Sequence, residues 1–169
     1  MKPGILGLIL ALVTLVADQG HKHWMLYVYD IPAREPVRVG PFLDLVMAWN
    51  PGISYSLLSA ETPAGRWGLL TMALVATAAL GVWMWRTHQR MTAWGLGFIV
   101  GGALGNAWDR FWHGAVADFF LLHVDTQTWG RLNWYVFNIA DVAIVAGVAL
   151  LLYESFLIKD AGQQAEKAG

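Results

Sequence analysis

Two aspartates in this chain stand in apolar surroundings with no basic residue three or four positions away in their own segments. Asp118 lies among Val116, Ala117, Phe119 and Phe120, and Asp141 among Phe137, Ile139, Ala140 and Val142. Desolvation and like charge raise the pKa of one member of such a pair, so that one acid keeps its proton while the other is ionised. The ionised acid can take a proton from water, and the protonated one can polarise a peptide carbonyl and later help the amine leave. Spacing alone leaves three readings open: an aspartyl dyad, a proton or ion relay, and a structural pair. Other polar residues look structural. Asp18 and Lys22 are spaced i, i+4 and can pair on one helix face. Asn106, Asp109 and Arg110 read as a second internal clamp, and Asn138 falls one turn before Asp141. His21 and His23 flank Lys22 but point apart on a helix, so no metal site is expected.

The elements that must position these groups follow from composition. Of 169 residues, 57% are hydrophobic and 14% charged, and there is no cysteine. Soluble domains average about 25% charged, so the chain is expected in a membrane. Its net charge of -1 comes without a basic tract, which argues against nucleic acid as a partner. The lack of cysteine removes disulfides, thiol nucleophiles and sulfur-bound zinc. Four apolar runs approach the ~20 residues that a spanning helix needs: residues 4–29, in which the apolar stretch 4–17 continues through Asp18 and Lys22, then 67–85, 92–108 and 134–158. Gly97, Gly101 and Gly105 repeat every fourth residue, a spacing that lets helices approach closely.

Basic residues set the expected orientation. Residues 1–3, 86–91 and 159–169 hold five in 20 positions, and 30–66 with 109–133 hold five in 62. The denser set places both termini and the 86–91 turn in the cytoplasm, leaving 30–66 and 109–133 extracytoplasmic. Val37-Arg38-Val39 and residues 42–49, around Gly40-Pro41, read as short strands. The expected fold is therefore an all-α integral membrane protein, a single domain over 1–169. It has four transmembrane helices and a small β-containing cradle between the first two. In this arrangement Asp18, Asp109, Asp118 and Asp141 reach one level, that of the outer leaflet. A charged aspartate near a helix centre costs roughly 2.5–3.5 kcal/mol on insertion scales, so these residues should face the bundle interior or a watery cavity.

At these residues the sequence resembles the lipoprotein signal peptidases, signal peptidase II, a family of bacterial membrane aspartyl peptidases. Asp18-Gln19-Gly20-His21-Lys22 resembles the family's DQxxK, and Asn50-Pro51-Gly52-Ile53-Ser54-Tyr55-Ser56 its NxGxxFS. Gly101 to Arg110 matches GGxxGNxxDR, Gly114 to Phe119 resembles GxVVDF, and Phe137-Asn138-Ile139-Ala140-Asp141 matches FNxAD. Five blocks occur in order.

The resemblance implies that Asp118 and Asp141 are the catalytic pair. It also implies that Asp18, Lys22, Asn50, Gly52, Asn106, Asp109, Arg110 and Asn138 bind substrate or shape the site. The implied activity is removal of the signal peptide from diacylglyceryl-modified prolipoproteins, cut just before the lipidated cysteine. No metal or cofactor is expected; the expected partners are lipidated signal peptides and membrane lipid, and the expected state is a monomer in the bacterial inner membrane with its site near the outer leaflet. His21, Tyr55, Ala117 and Val142 depart from the family pattern, Val142 standing where a serine usually follows the second aspartate. Two other functions remain in view: a small proton or ion transporter using the same acids, and a paralogue that binds signal peptides without cutting them. The chain shows no repeat between its halves, which disfavours a transporter.

Overall fold

The structure is a computed structural model that describes residues 1–52 and 63–168, with side chains described for 1–52 and 64–156. It contains four helices, α1 (Pro3–His23), α2 (Pro63–Arg86), α3 (Arg90–Trp112) and α4 (Ile139–Ala168), and four strands, β1 (Val37–Arg38), β2 (Leu43–Asn50), β3 (Val116–Thr126) and β4 (Gly130–Phe137). A π-helical turn, Trp24–Val28, prolongs α1. Among the described residues three helical segments are long and apolar enough to cross a membrane: Pro3–Val28, Ala64–Arg86 and Ile139–Phe156. The exception, α3, carries the glycines and the Asn106, Asp109 and Arg110 group, which lower its hydropathy.

Its place in the bundle explains this composition, because α3 packs against α1, α2 and α4. A helix lined by protein needs small residues for contact more than apolar ones for lipid. A Cβ on Gly97 would lie 2.5 Å from the Gly7 carbonyl oxygen, and one on Gly101 would lie 2.5 Å from that of Ala11. On the opposite face, a Cβ on Gly102 would lie 2.5 Å from the Ala140 carbonyl oxygen. The glycine spacing thus marks the α1 seam, and α1 and α3 run in the same direction along it. Gly95 and Gly102 mark the α4 seam, which the fourfold repeat does not reveal.

The strands form one antiparallel sheet in the order β1-β2-β3-β4. β1 and β2 agree with the strands expected from residues 37–39 and 42–49. The sheet is larger than the expected cradle, because β3 and β4 add the connection between α3 and α4. Residues 134–137 are correspondingly strand, and α4 begins at Ile139, where a span beginning at 134 was expected. The run Trp134-Tyr135-Val136-Phe137 is aromatic and β-branched, which suits a pleated surface, and Gly130 at φ +68° closes the hairpin that pairs it with β3. Gly114, at φ +84°, turns the chain from α3 into β3 in the left-handed conformation that glycine adopts without strain.

Alternation along β3 decides what each face does. Ala117 and Phe119 join Met25 and Ile31 in a buried apolar cluster, while Asp118 takes the opposite face. Charged groups from all four strands form a network away from the bundle. Arg131 and His123 both contact Asp44, with His123 Nε2 at 3.2 Å from Oδ1, and Arg38 reaches Asp125 at 3.2 Å. The Arg131 guanidinium, with help from His123, holds the Asp44 carboxyl below its ordinary range.

Candidate functional site

The polar residues converge where the sheet meets the ends of α1, α3 and α4. The α4 terminus is built as a reciprocal cap. Asn138 precedes the helix and accepts at Oδ1 from the Asp141 N–H at 2.9 Å, while the Asp141 Oδ2 accepts from the Asn138 N–H at 3.1 Å. The second aspartate is thus locked by the backbone of its own first turn. Its other oxygen, Oδ1, accepts from Asn106 Nδ2 at 2.9 Å.

Asn138 also joins the two acids. Its Nδ2 donates to Asp118 Oδ1 at 2.6 Å, so one fully buried side chain touches the first aspartate and caps the turn that bears the second. Asp118 Oδ2 accepts from Asn50 Nδ2 at 3.3 Å. Ala48 stands opposite Asp118 in the β2–β3 register. Asn50 Oδ1 in turn accepts from the Gly52 N–H at 3.2 Å. Burial, followed by the negative charge of Asp141, raises the Asp118 carboxyl from 3.8 to about 7; hydrogen bonds from Asn138 and Asn50 and the more distant Lys22 oppose the rise. Asp118 therefore holds a proton near neutrality while lying within electrostatic reach of a second carboxyl.

A third layer sits beneath this pair. Lys22, 3% exposed, uses its three donors on Asp18 Oδ2 at 2.9 Å, Asp109 Oδ2 at 2.7 Å and Asn106 Oδ1 at 3.1 Å. Two carboxylates offset the burial of one ammonium, as a buried charge requires. The expected Asp18–Lys22 pair is present. The clamp expected between Asp109 and Arg110 is replaced: Asp109 pairs with Lys22 and accepts from the Ala117 N–H at 3.1 Å. Arg110 instead donates to the Asn106 carbonyl at 3.5 Å and the Gly52 carbonyl at 3.4 Å. Adjacent residues on a helix point about 100° apart, so Asp109 faces α1 while Arg110 faces the end of β2.

Asp18 has a further partner that spacing could not reveal. Its Oδ1 accepts from the Ala140 N–H at 2.9 Å, placing a carboxylate at the positive end of α4. Two more residues join the site beyond those expected. Gln19 Nε2 lies 2.9 Å from Asp109 Oδ1 and 3.1 Å from the Gly105 carbonyl. Arg66, in the first turn of α2, donates to the carbonyls of Arg110 at 2.9 Å and Phe111 at 2.5 Å, capping α3 next to Gly114. Gln19 stood in the first motif beside Asp18; Arg66 carried no spacing signal.

His21 packs on aromatic rings, stacked on Phe120 at 5.2 Å and edge-on to Phe119 at 5.6 Å. Val142 is 53% exposed and lines a groove beside Asp141. Both Asp141 oxygens already have donors, so the missing hydroxyl leaves neither unsatisfied. Ile53, Ser54, Tyr55 and Ser56 lie outside the described residues. The groove, about 530 Å³, is walled by Asn50, Trp134, Tyr135, Phe137, Asp141 and Val142. It is mostly apolar with a carboxyl on one wall, a form suited to an extended peptide that carries apolar groups.

Comparison with known proteins gives the family. Residues 10–157 match the family model described as signal peptidase (SPase) II. A protein of Methylocella silvestris named lipoprotein signal peptidase is 52% identical over 170 residues, covering 100% of this chain and 96% of its own length. One of the same name from Beijerinckia indica is 51% identical, covering 96% and 94%. A bacterial membrane enzyme solved by the in meso method at 2.3 Å resolution superposes with a TM-score of 0.73 at 25% identity, covering 94% of this chain and 90% of that one. With a family match over most of its length and relatives at half identity, the chain belongs to the signal peptidase II family.

Proposed function

We propose that this protein removes the signal peptide from diacylglyceryl-modified prolipoproteins, with Asp118 and Asp141 as its catalytic pair. The observation that carries this reading is the pair itself: two carboxyls joined through Asn138, Asp118 buried and raised to about 7 and Asp141 on the wall of an apolar groove. The ionised acid accepts a proton from water as the water oxygen bonds to the scissile carbonyl carbon. The protonated acid gives its proton to the carbonyl oxygen, forming a neutral tetrahedral diol. As that diol collapses and the C–N bond breaks, the acid that took the proton from water passes it to the leaving nitrogen, and a diol hydroxyl returns its proton to the other carboxylate, restoring the pair. Lys22, Asp18, Asp109 and Arg110 act by holding Asn106, α4 and the end of β2 in register. A transporter or a non-cleaving binder finds no matching support in relatives named as peptidases.

The same reading makes α3 a fourth span. Its 23 residues cover about 34 Å at 1.5 Å each, and it packs against three helices apolar enough to cross. Basic residues concentrated at 2, 86 and 90 support a cytoplasmic position for that end and an outer-leaflet position for the acids. A lipidated substrate is then held at the right depth by its acyl chains, at about 0.8 kcal/mol per buried CH₂. The test compares cleavage by the purified protein of one precursor with and without its diacylglyceryl group. Turnover of the modified form alone is expected; equal turnover of both would contradict the lipid-anchored reading.

A further inference from the structure

At the end of the bundle away from the sheet, the start of α1 and the turn between α2 and α3 enclose a cavity of about 270 Å³ that the peptidase chemistry does not use. Lys2, Pro3, Gly4, Trp85, Thr87 and His88 line it. Its floor is a tight helix contact, since a Cβ on Gly4 would lie 3.2 Å from the Trp85 Cα. Arg86, between the lining residues Trp85 and Thr87, borders the cavity. Among the described residues neither Lys2 nor Arg86 pairs with a carboxylate; the nearby acid, Glu154, is engaged by Thr92. The Thr87 hydroxyl accepts from the Gln89 N–H at 3.2 Å, which leaves its own hydrogen to donate. The cavity therefore presents a cation and hydroxyl and imidazole donors, with no carboxylate among the described residues that line it.

We propose that this cavity seats the phosphate of an anionic phospholipid. Basic pockets between membrane helices take such headgroups, and Trp85, 63% exposed, supplies the amphipathic wall common at headgroup depth. A track for the acyl chains runs from the same rim. Ile5, Ile9, Leu12 and Val16 are all exposed and fall on one face of α1 by their spacing. The proposal is independent of the peptidase reading, because none of these residues approaches Asp118 or Asp141.

Native mass spectrometry of the purified full chain with dioleoylphosphatidylglycerol, dioleoylphosphatidylcholine or inorganic phosphate tests it. One retained phosphatidylglycerol per chain is expected, in preference to phosphatidylcholine. Lys2→Gln combined with His88→Gln should weaken retention about fivefold or more, since one surface charge accounts for roughly that factor. Arg90→Gln, which removes a charge outside the cavity, should leave retention near the parent level. Unchanged precursor cleavage by the cavity variant would show that it folds. Equal retention of the two lipids, equal loss in Arg90→Gln, or displacement of the lipid by millimolar phosphate alone would each overturn the proposal.

Discussion

Asp118 carries the pH dependence expected of the site. Its carboxyl is raised from 3.8 to about 7, chiefly by burial, so the singly protonated pair that the proposed reaction needs is lost as pH rises through about 7. Cleavage should therefore decline on the alkaline side of neutrality, read as kcat/KM against pH. The same shift has a stability consequence. A group whose folded pKa lies above its unfolded value favours the folded state fully below about pH 4, and this contribution disappears as pH rises to about 7. Relative to Asp118→Asn, the parent should lose up to about 4 kcal/mol of stability between those pH values, measured as a widening difference in unfolding midpoint; a difference that stays constant would contradict the assignment. Much of this residue chemistry was legible, because isolated acids in apolar segments are conspicuous. The pairing of Asp109 with Lys22 and the capping of α4 by Asp18 were not, because each joins residues more than 80 positions apart.

At the scale of elements, the site depends on how closely α1 and α4 approach α3. Gly101→Ala would place a methyl 2.5 Å from the Ala11 carbonyl oxygen and 2.7 Å from the Thr14 Cβ, so the helices must part. Overpacking of this kind costs about 1–3 kcal/mol, and here it would also draw Lys22 away from Asn106. Gly20→Ala, with nothing within 4 Å of the added carbon, should be neutral or slightly stabilising. Thermal unfolding of both variants in detergent checks the contrast, and equal midpoints would mean that the seam is looser than described. The fourfold glycine repeat made a close helix seam readable in advance, though not that α1 is the partner. Two strands were also readable, from Val37 and from the run after Gly40-Pro41. β3 and β4 were missed because Trp134 to Phe137 is as apolar as the helix that follows, and hydropathy does not separate a buried strand from the start of a span. Asn138, a helix-capping residue, marks the boundary.

The whole molecule divides its work between its two ends. One end brings a sheet from two distant connections onto the tops of α1, α3 and α4, and encloses two acids beside an apolar groove. The other collects basic side chains around a small cavity. Between them α3, surrounded by the other three helices, gives up apolar surface for glycine and polar anchors. The central claim is that Asp118 and Asp141 act as one catalytic unit. Asparagine at either position keeps side-chain volume and removes the acid, so each single variant should still fold. Groups that act together are not additive. The direct measurement is the rate at which purified Asp118→Asn, Asp141→Asn and the double variant cleave a diacylglyceryl-modified precursor. The account predicts that each single change abolishes cleavage, a loss of at least about 10³-fold, and that the double change adds little more; near-parental turnover by either well-folded single variant would contradict it.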